Sequence, residues 1–421
     1  MEGNPAAASR AVRDAERYLA SLEMFGMRFG LERMRRLMIT LGSPHEQFRS
    51  IHVVGSNGKS STARMIAALL EAHGHSSGAY LSPHLVGFAE RVEIGGRQVG
   101  DEAFAAAIAR VAEAAALVDR TLDPGDRVTQ FEALTAAAYW ELAHAGVEVA
   151  AVEAGLGGRY DATSVIRSSV QVLTNVSLEH TRWLGPTETH IAEEKLAVVP
   201  VGGTLVAGRL GPEALKVAER VVAERDARLL LMGRDFGDPG VELHPRGAFQ
   251  RENFAVAAAA AEAFHGALDP DQVSAAAQAI RTPGRLEVVD RDPLTIVDGA
   301  HNPAGAAALA RALGDVVEGR RTVGVMSVLD DKDASTMLAT LLPMFGQVVF
   351  TRSSRRGALP PATLESLSRQ LGGPPAAIQP SPQEALARAR ELAGPEGAVV
   401  VTGSIYLLSD LARAGALRGH A

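Results

Sequence analysis

Residues 51–62, Ile51-His52-Val53-Val54-Gly55-Ser56-Asn57-Gly58-Lys59-Ser60-Ser61-Thr62, pass from a β-branched run through a glycine turn into hydroxyl residues that open a helix. That order suits a nucleotide phosphate. The strand gives the turn a rigid base, and glycines let backbone N–H groups approach phosphate oxygens. Lys59 brings a point charge to the β- and γ-phosphates, the hydroxyls reach Mg²⁺, and the helix N-terminus adds its positive dipole end. Val53 stands where a strict G-x-x-x-x-G-K-[ST] motif has its first glycine. The shorter G-x-x-G-K-S form also occurs in ordinary strand–turn–helix corners, so the flanking sequence has to separate the two. Beyond Thr62, Met65, Ile66, Leu69 and Leu70 keep helical spacing, and Gly74 suits a helix C′ position.

Outward from this stretch the chain alternates. Residues 11–42 read as a helix, with Phe25, Met27, Phe29, Leu31, Met34, Leu37 and Met38 as its apolar points. Strand-like runs at 51–54, 148–153 and 170–176 are separated by helical stretches at 61–73, 101–119 and 129–145, which predicts parallel strands joined by crossover helices. Residues 201–247 are less regular, with short β-like runs at 204–207 and 229–232, and an Ala-rich helix follows at 253–266. A second alternating series places strands at 294–298, 321–328, 347–351, 376–379 and 398–402. Arg291-Asp292-Pro293 is the boundary candidate. The expectation is therefore a phosphate-binding α/β domain over 1–290 and a smaller α/β domain over 294–421.

Composition narrows the class. A chain of 421 residues exceeds a single compact core, and 47% hydrophobic with 22% charged residues is a globular balance. A net charge of −7 argues against a nucleic-acid partner, while leaving room for a local basic pocket. With no cysteine there is no disulfide, thiolate chemistry or Cys-ligated metal, which fits a reducing cytoplasm. No apolar run approaches the ~20 residues of a membrane span, and the first residues lack a signal-peptide core. No membrane partner is expected.

In parallel α/β sheets, ligands sit beyond the carboxyl ends of the strands. Glu153 closes the run from Val149, Glu179-His180 follows the run ending at Val176, and Ser82 follows Ala79-Tyr80-Leu81. A carboxylate, an imidazole and a hydroxyl near a phosphate turn are able to hold Mg²⁺. Singly, each has a plainer reading: a solvated Glu, a structural His, a Ser-Pro turn. Lys195 lies in an acidic helix and by spacing alone is a surface lysine. Arg285, after Pro283-Gly284, is either a loop cation or a phosphate clamp. Asp298, before Gly299-Ala300-His301-Asn302-Pro303, either binds a ribose hydroxyl or caps a helix. Arg352-Ser353-Ser354-Arg355-Arg356 reads as a solvated loop.

In order along the chain come IHVVGSNGKSST, LSPHL, TQFE, VEAGLGGRYDATS, TNVSLEHTRWLG, EEKLAV, TPGRLEVV, VDGAHNP, DDKD and VTGSIYLL. Together they resemble the folylpolyglutamate synthase/dihydrofolate synthase family, within the ATP-dependent Mur ligase superfamily, from Phe29-Gly30-Leu31-Glu32-Arg33 to the C-terminus. The resemblance implies a P-loop ATPase-like Mur ligase central domain followed by a Rossmann-like C-terminal α/β domain. The implied reaction is an amide bond between L-glutamate and a folate or dihydropteroate carboxylate, through an acyl phosphate made from ATP. By matching position, Gly55, Ser56, Asn57, Gly58, Lys59, Ser60 and Ser61 hold the ATP phosphates, and Asn253, Arg285 and Asp298 match further nucleotide contacts. Ser82, Glu153 and His180 match Mg²⁺ ligands. Lys195 matches a lysine carbamylated in many members, where the new carboxylate holds a second Mg²⁺; K⁺ is a further candidate cation.

Gly30, Leu31, Arg33, Thr129, Gln130, Phe131, Glu132, Tyr160 and Asp161 match pterin-substrate regions, and His301 and Ser404 match positions near the glutamate site. Lys59, Lys195, His180 and His301 form the implied catalytic set, and the family favours a monomer. Four residues depart from the usual pattern: Ser60 for glycine, Tyr160 for leucine, Ser164 for asparagine, and Arg182 for an acidic residue. The rival readings are a Mur-type amino-acid ligase acting on a cell-wall nucleotide precursor, and a nucleotide-binding regulatory protein without ligase turnover.

Overall fold

A computed structural model describes residues 5–22 and 30–417; Phe25, Met27 and Phe29 lie outside the described residues. The single helix expected over 11–42 is two helices, α1 (Pro5–Ser21) and α2 (Glu32–Thr40). Gly30 sits at φ +144°, a conformation open to glycine and closed to a helix, so the helical pattern is interrupted there. The chain divides into two compact units, one of Met1–Glu242 with Glu252–Ile280, the other of Leu243–Arg251 with Arg281–Ala421.

In the first unit eight strands form one sheet: β1 (Arg49–Val54), β2 (Ser77–Tyr80), β3 (Val92–Ile94), β4 (Arg97–Gln98), β5 (Val149–Glu153), β6 (Val170–Leu173), β7 (Thr204–Ala207) and β8 (Arg228–Leu231). Their order is β4-β3-β2-β5-β1-β6-β7-β8, parallel throughout except for β3 and β4. The β-like runs inside 201–247 are thus one edge of the sheet. β5 is buried along its whole length and β1 along all but its first residue, as the continuous Val/Ile/Ala composition of a two-sided parallel strand demands. α1, α2, α4 (Asp101–Asp119) and α5 (Gln130–His144) pack over one face around Tyr80, Tyr139, Ala150 and Val152. α7 (Glu188–Leu196) and α8 (Pro212–Glu224) close the other over Val54, Leu173 and Leu205; the single turn α6 (Thr181–Leu184) precedes them. α3 (Lys59–Ala72) follows β1, and α9 (Ala248–His265) and α10 (Pro270–Ala279) complete the helices that concern the site.

The second unit holds β9 (Glu287–Arg291), β10 (Leu294–Val297), β11 (Thr322–Met326), β12 (Gln347–Phe350), β13 (Ala376–Ile378) and β14 (Ala398–Thr402), in the order β13-β12-β11-β14-β10-β9. β9 alone is antiparallel. Arg291-Asp292-Pro293 is therefore no domain boundary: it is the turn joining β9 to β10 within one sheet, and the division falls at Ile280/Arg281. An Asp-Pro turn looks the same in sequence whether it joins domains or hairpin strands.

Candidate active site

The phosphate-loop geometry depends on two glycines. Gly55 has φ +147°, and a Cβ there would overlap Thr174 Oγ1. Gly58, the N-cap of α3, is left-handed at φ +84°, and a Cβ there would overlap the Asn253 amide. Val53, in the place of the missing first glycine, is a fully buried residue of β1; the turn starts at Gly55 and needs nothing earlier. The segment after β6 holds the loop from outside. Thr174 Oγ1 donates to Asn57 O (2.7 Å), Asn175 Oδ1 accepts from Asn57 N (2.9 Å), and Ser177 N donates to Ser56 Oγ (3.0 Å). Lys59 Nζ donates to Gly55 O (3.0 Å) and Ser56 O (3.2 Å).

Because β2, β5 and β1 are parallel neighbours, their carboxyl ends bring Ser82, Glu153 and the loop together. Glu153, 2% exposed, accepts from Ser82 N at Oε2 (2.7 Å), and Ser60 Oγ stands 3.0 Å from its Oε1. Ser60 is the hydroxyl that faces this carboxylate; Ser61 is buried in the helix packing. His180 is carried on the turn after β6 as the left-handed N-cap of α6 (φ +49°). Among the described residues no three His, Asp or Glu side chains form a ready metal cage. One carboxylate with hydroxyl and carbonyl oxygens still fits Mg²⁺, a hard cation that keeps waters and takes substrate phosphate oxygens alongside one or two carboxylates.

Lys195 is no surface lysine. It is fully buried, and its Nζ donates to Gly55 O (2.8 Å), Leu156 O (3.2 Å) and Glu179 Oε1 (3.3 Å). Burial lowers its amine to about 8; Glu179 opposes the shift and Lys59 adds to it. Glu179, absent from the expected site, is the counter-ion, and its position at a strand end beside His180 was the available signal. Gly158 lets the same helix close in, since a Cβ there would overlap Glu194 O and Lys195 O.

The expected pterin-substrate residues divide. Thr129 and Glu132 form a capping box at the start of α5, with Glu132 Oε2 accepting from Thr129 N (2.9 Å). Arg33 Nε donates to both Glu132 oxygens (3.1 Å each) and its Nη1 to Asp126 (3.1 Å). Gln130 donates to Leu19 O (2.8 Å), and Asp161 accepts from Leu156 N (2.9 Å) and Thr163 Oγ1 (2.6 Å). These polar groups hold the fold together. Phe131, whose ring fills the space a Gly155 side chain would take, and Tyr160, 48% exposed, keep surface for a ligand. Gly30 and Leu31 are half-buried at the start of α2.

In the second unit Asp298 lies at the end of β10, buried, accepting from Leu286 N and Ala300 N (2.8 Å each). Burial raises its carboxyl, and the Arg285 guanidinium opposes that. Gly299 leaves the room Arg285 occupies. His301 Nδ1 bonds Gly299 O (2.9 Å), which makes it the donor and leaves Nε2 as the acceptor of the neutral ring. Ser404, expected at the glutamate site, is a buried N-cap that accepts from Tyr406 N (3.2 Å).

A glycine-enforced phosphate loop with an acidic point, on a chain whose residues 284–405 match the family model described as Mur ligase, glutamate ligase domain, defines the class: Mur-type ATP-dependent ligases. Among similar proteins is the dihydrofolate synthase/folylpolyglutamate synthase of Mycobacterium tuberculosis, 37% identical over 381 residues, covering 82% of this chain and 78% of that protein. A solved Mycobacterium tuberculosis folylpolyglutamate synthase complexed with ADP superposes with a TM-score of 0.91 at 33% identity, covering 97% of this chain and 98% of that one. A probable bifunctional folylpolyglutamate synthase/dihydropteroate synthase of Haloferax volcanii is 35% identical over 421 residues; the match covers 94% of this chain and 50% of that relative, so the chain spans half its length. The chain belongs to the folylpolyglutamate synthase/dihydrofolate synthase family. Among the described residues no helix is long and apolar enough to cross a membrane.

Proposed function

We propose that this protein joins L-glutamate by an amide bond to the carboxylate of a folate or dihydropteroate, with ATP as the activating substrate. The observation that carries the reading is the Ser60–Glu153–Ser82 group standing beside Lys59 on a loop whose two glycines admit no side chain. The names of the relatives support the choice of substrate.

The backbone N–H groups of residues 55–58 and the ammonium of Lys59 hold the ATP phosphates, with Asn253 beside Gly58 fixing the loop. Ser60, Ser82 and Glu153, with His180 as the resemblance implies, would hold Mg²⁺, which would neutralise phosphate charge. A substrate carboxylate oxygen attacks the γ-phosphorus and ADP departs, leaving an acyl phosphate. The glutamate amine then attacks the acyl carbon; the C–N bond forms as the C–O bond breaks, and inorganic phosphate carries off the electron pair. The amine gives up a proton as the C–N bond forms. Lys195, whose amine burial lowers to about 8, is neutral far more often than an ordinary lysine, and the neutral amine is the form that reacts with CO₂. Carbamylation would replace its three hydrogen-bond donations with a carboxylate for a second Mg²⁺. Its signature is a mass gain of about 44 Da that depends on bicarbonate and disappears in Lys195→Met.

The test is ADP release with dihydropteroate and tetrahydrofolate in parallel, with products identified by mass. Release is expected to require both L-glutamate and a pterin acid, and to vanish in Lys59→Ala. Product masses separate dihydrofolate synthesis from chain extension, since both use one amine and one activated carboxylate. ADP release indifferent to pterin acids would overturn the substrate assignment.

A further inference from the structure

β1 carries a buried imidazole in an apolar run. Ile51, Val53 and Val54 are what a strand covered on both faces requires, yet His52 among them is only 2% exposed. A buried polar ring is costly unless it is bonded, and His52 Nε2 lies 2.9 Å from Thr163 Oγ1. The Thr163 hydroxyl gives its own hydrogen to Asp161 Oδ1 (2.6 Å), so it receives from the ring and His52 Nε2 is the donor. Thr163 N donates to the same carboxylate oxygen (3.1 Å), and Tyr139 Oη donates to Thr163 O (2.9 Å). Burial lowers His52 to about 4, which agrees with a neutral ring.

These bonds close a circuit with the site. Asp161 Oδ2 accepts from Leu156 N (2.9 Å), in the glycine loop after β5. Leu156 O accepts from Lys195 Nζ (3.2 Å), which also donates to Gly55 O (2.8 Å). Gly55 lies three residues beyond His52 along the chain. From His52 the circuit therefore passes through Thr163, Asp161, Leu156 and Lys195 and returns to β1 at Gly55. It joins two loops whose other supports differ. The phosphate loop is held independently by Thr174, Asn175 and Ser177. The glycine loop is set against β1 by Ala154 N on Val53 O (2.9 Å) at its start and by the Asp161–Thr163–His52 chain at its end. Its middle rests on α7, where Arg159 N donates to Glu194 O (3.1 Å).

We propose that His52 is a positioning residue for the ligase site: from the strand beneath the phosphate loop it fixes, through Thr163 and Asp161, the spacing of Gly55 O and Leu156 O between which Lys195 is held. The inference rests on the ligase reading above. Loss of the imidazole leaves a buried Thr163 oxygen without its donor and lets the 156–163 segment shift away from β1. The phosphate loop keeps its supports from the segment after β6. Nucleotide binding and turnover should therefore separate. Turnover depends on where Lys195 and the glycine loop stand, whereas the grip on phosphate does not.

The test compares the full-length protein with His52→Leu, which fills the space and cannot donate, and His52→Gln, whose amide nitrogen donates from a similar place. In His52→Leu, ADP release with L-glutamate and a pterin acid is expected to fall about tenfold or more in kcat, while ADP affinity by calorimetry stays within about twofold. His52→Gln should bring kcat back to within about threefold of the wild type. Hydrogen–deuterium exchange read by mass spectrometry follows the geometry itself. The peptide holding Leu156 and Thr163 should exchange about tenfold faster in His52→Leu, and that holding Thr174 and Asn175 should be unchanged. If His52→Leu does not fold, Thr163→Val breaks the same chain at its middle and is expected to give the same split. Unchanged exchange at the Leu156 peptide, equal losses of kcat and ADP affinity, or a His52→Gln protein as impaired as His52→Leu would each overturn the positioning role. A wild-type protein whose ADP release ignores glutamate and pterin acids would refute the ligase reading, and exchange at the Leu156 peptide would still judge the circuit.

Discussion

Replacing Lys195 by methionine isolates the buried cation that joins the phosphate loop to the glycine loop after β5. Methionine keeps the length and removes the charge. Two effects oppose each other. Holding the amine at about 8 against an ordinary 10.5 means that its surroundings, burial first, disfavour the ammonium by about 3 kcal/mol net, at ~1.36 kcal/mol per unit, and the substitution relieves that cost. It also takes the lysine away from Leu156 O and the buried Glu179 carboxylate, 8% exposed, while Gly55 O keeps its bond from Lys59. Removing one partner of a buried pair costs about 3–5 kcal/mol net of such relief, and the large desolvation cost places Lys195→Met near the low end, about 3 kcal/mol destabilising. Both tryptophans, Trp140 and Trp183, lie in the first unit, so fluorescence-detected urea unfolding reads this unit alone. Adding Glu179→Gln, which removes the buried carboxylate's charge, should recover at least about half of the loss. The pH dependence follows in sign. Between 8 and 10.5 the unfolded chain keeps a proton that the native lysine has lost, so this group's contribution to stability rises with pH across that window, and Lys195→Met abolishes the rise. A Lys195→Met protein as stable as the parent, or one with an unchanged pH slope above 8, would refute the reasoning.

Three further outcomes are expected. Gly58→Ala forces a left-handed alanine, at about 1–2 kcal/mol, and drives its methyl into Asn253; ADP affinity by calorimetry should fall at least about tenfold while far-UV circular dichroism is unchanged. Arg33→Ala leaves Glu132 and Asp126 facing each other without a cation and should cost about 3–5 kcal/mol in urea unfolding, whereas Arg33→Lys, which keeps the charge and loses the fork, should cost about half as much. Glu153→Gln keeps the shape that receives Ser82 N and removes the charge; Mg²⁺-dependent ATP affinity should drop at least about tenfold with a stability change below about 1 kcal/mol, and unaltered Mg²⁺ dependence would remove Glu153 from the metal site.

Local patterns made the phosphate loop readable, because its requirements are short-range: a buried strand, two positions closed to any Cβ, and a helix start. The same short range misled elsewhere. In Thr129-Gln130-Phe131-Glu132 the S/T-x-x-E spacing is that of a capping box, which Thr129 and Glu132 form. Lys195 reads as a surface residue because its three acceptors come from residues 55, 156 and 179, and no window around an acidic helix contains them. The break at Gly30 and the β9–β10 turn are likewise decided by backbone conformation and strand pairing, which composition does not display.

Ser60 shows how the two scales combine. It stands where the family pattern has glycine. Its Oγ does stand at Glu153, while Ser61 turns into the helix packing. A glycine at position 60 would leave Glu153 Oε1 without that neighbour. Ser60→Gly should therefore weaken Mg²⁺-dependent nucleotide binding more than Ser61→Ala, whose hydroxyl is out of reach of the carboxylate edge. The reverse ranking would mean that the loop rotates when it takes up phosphate.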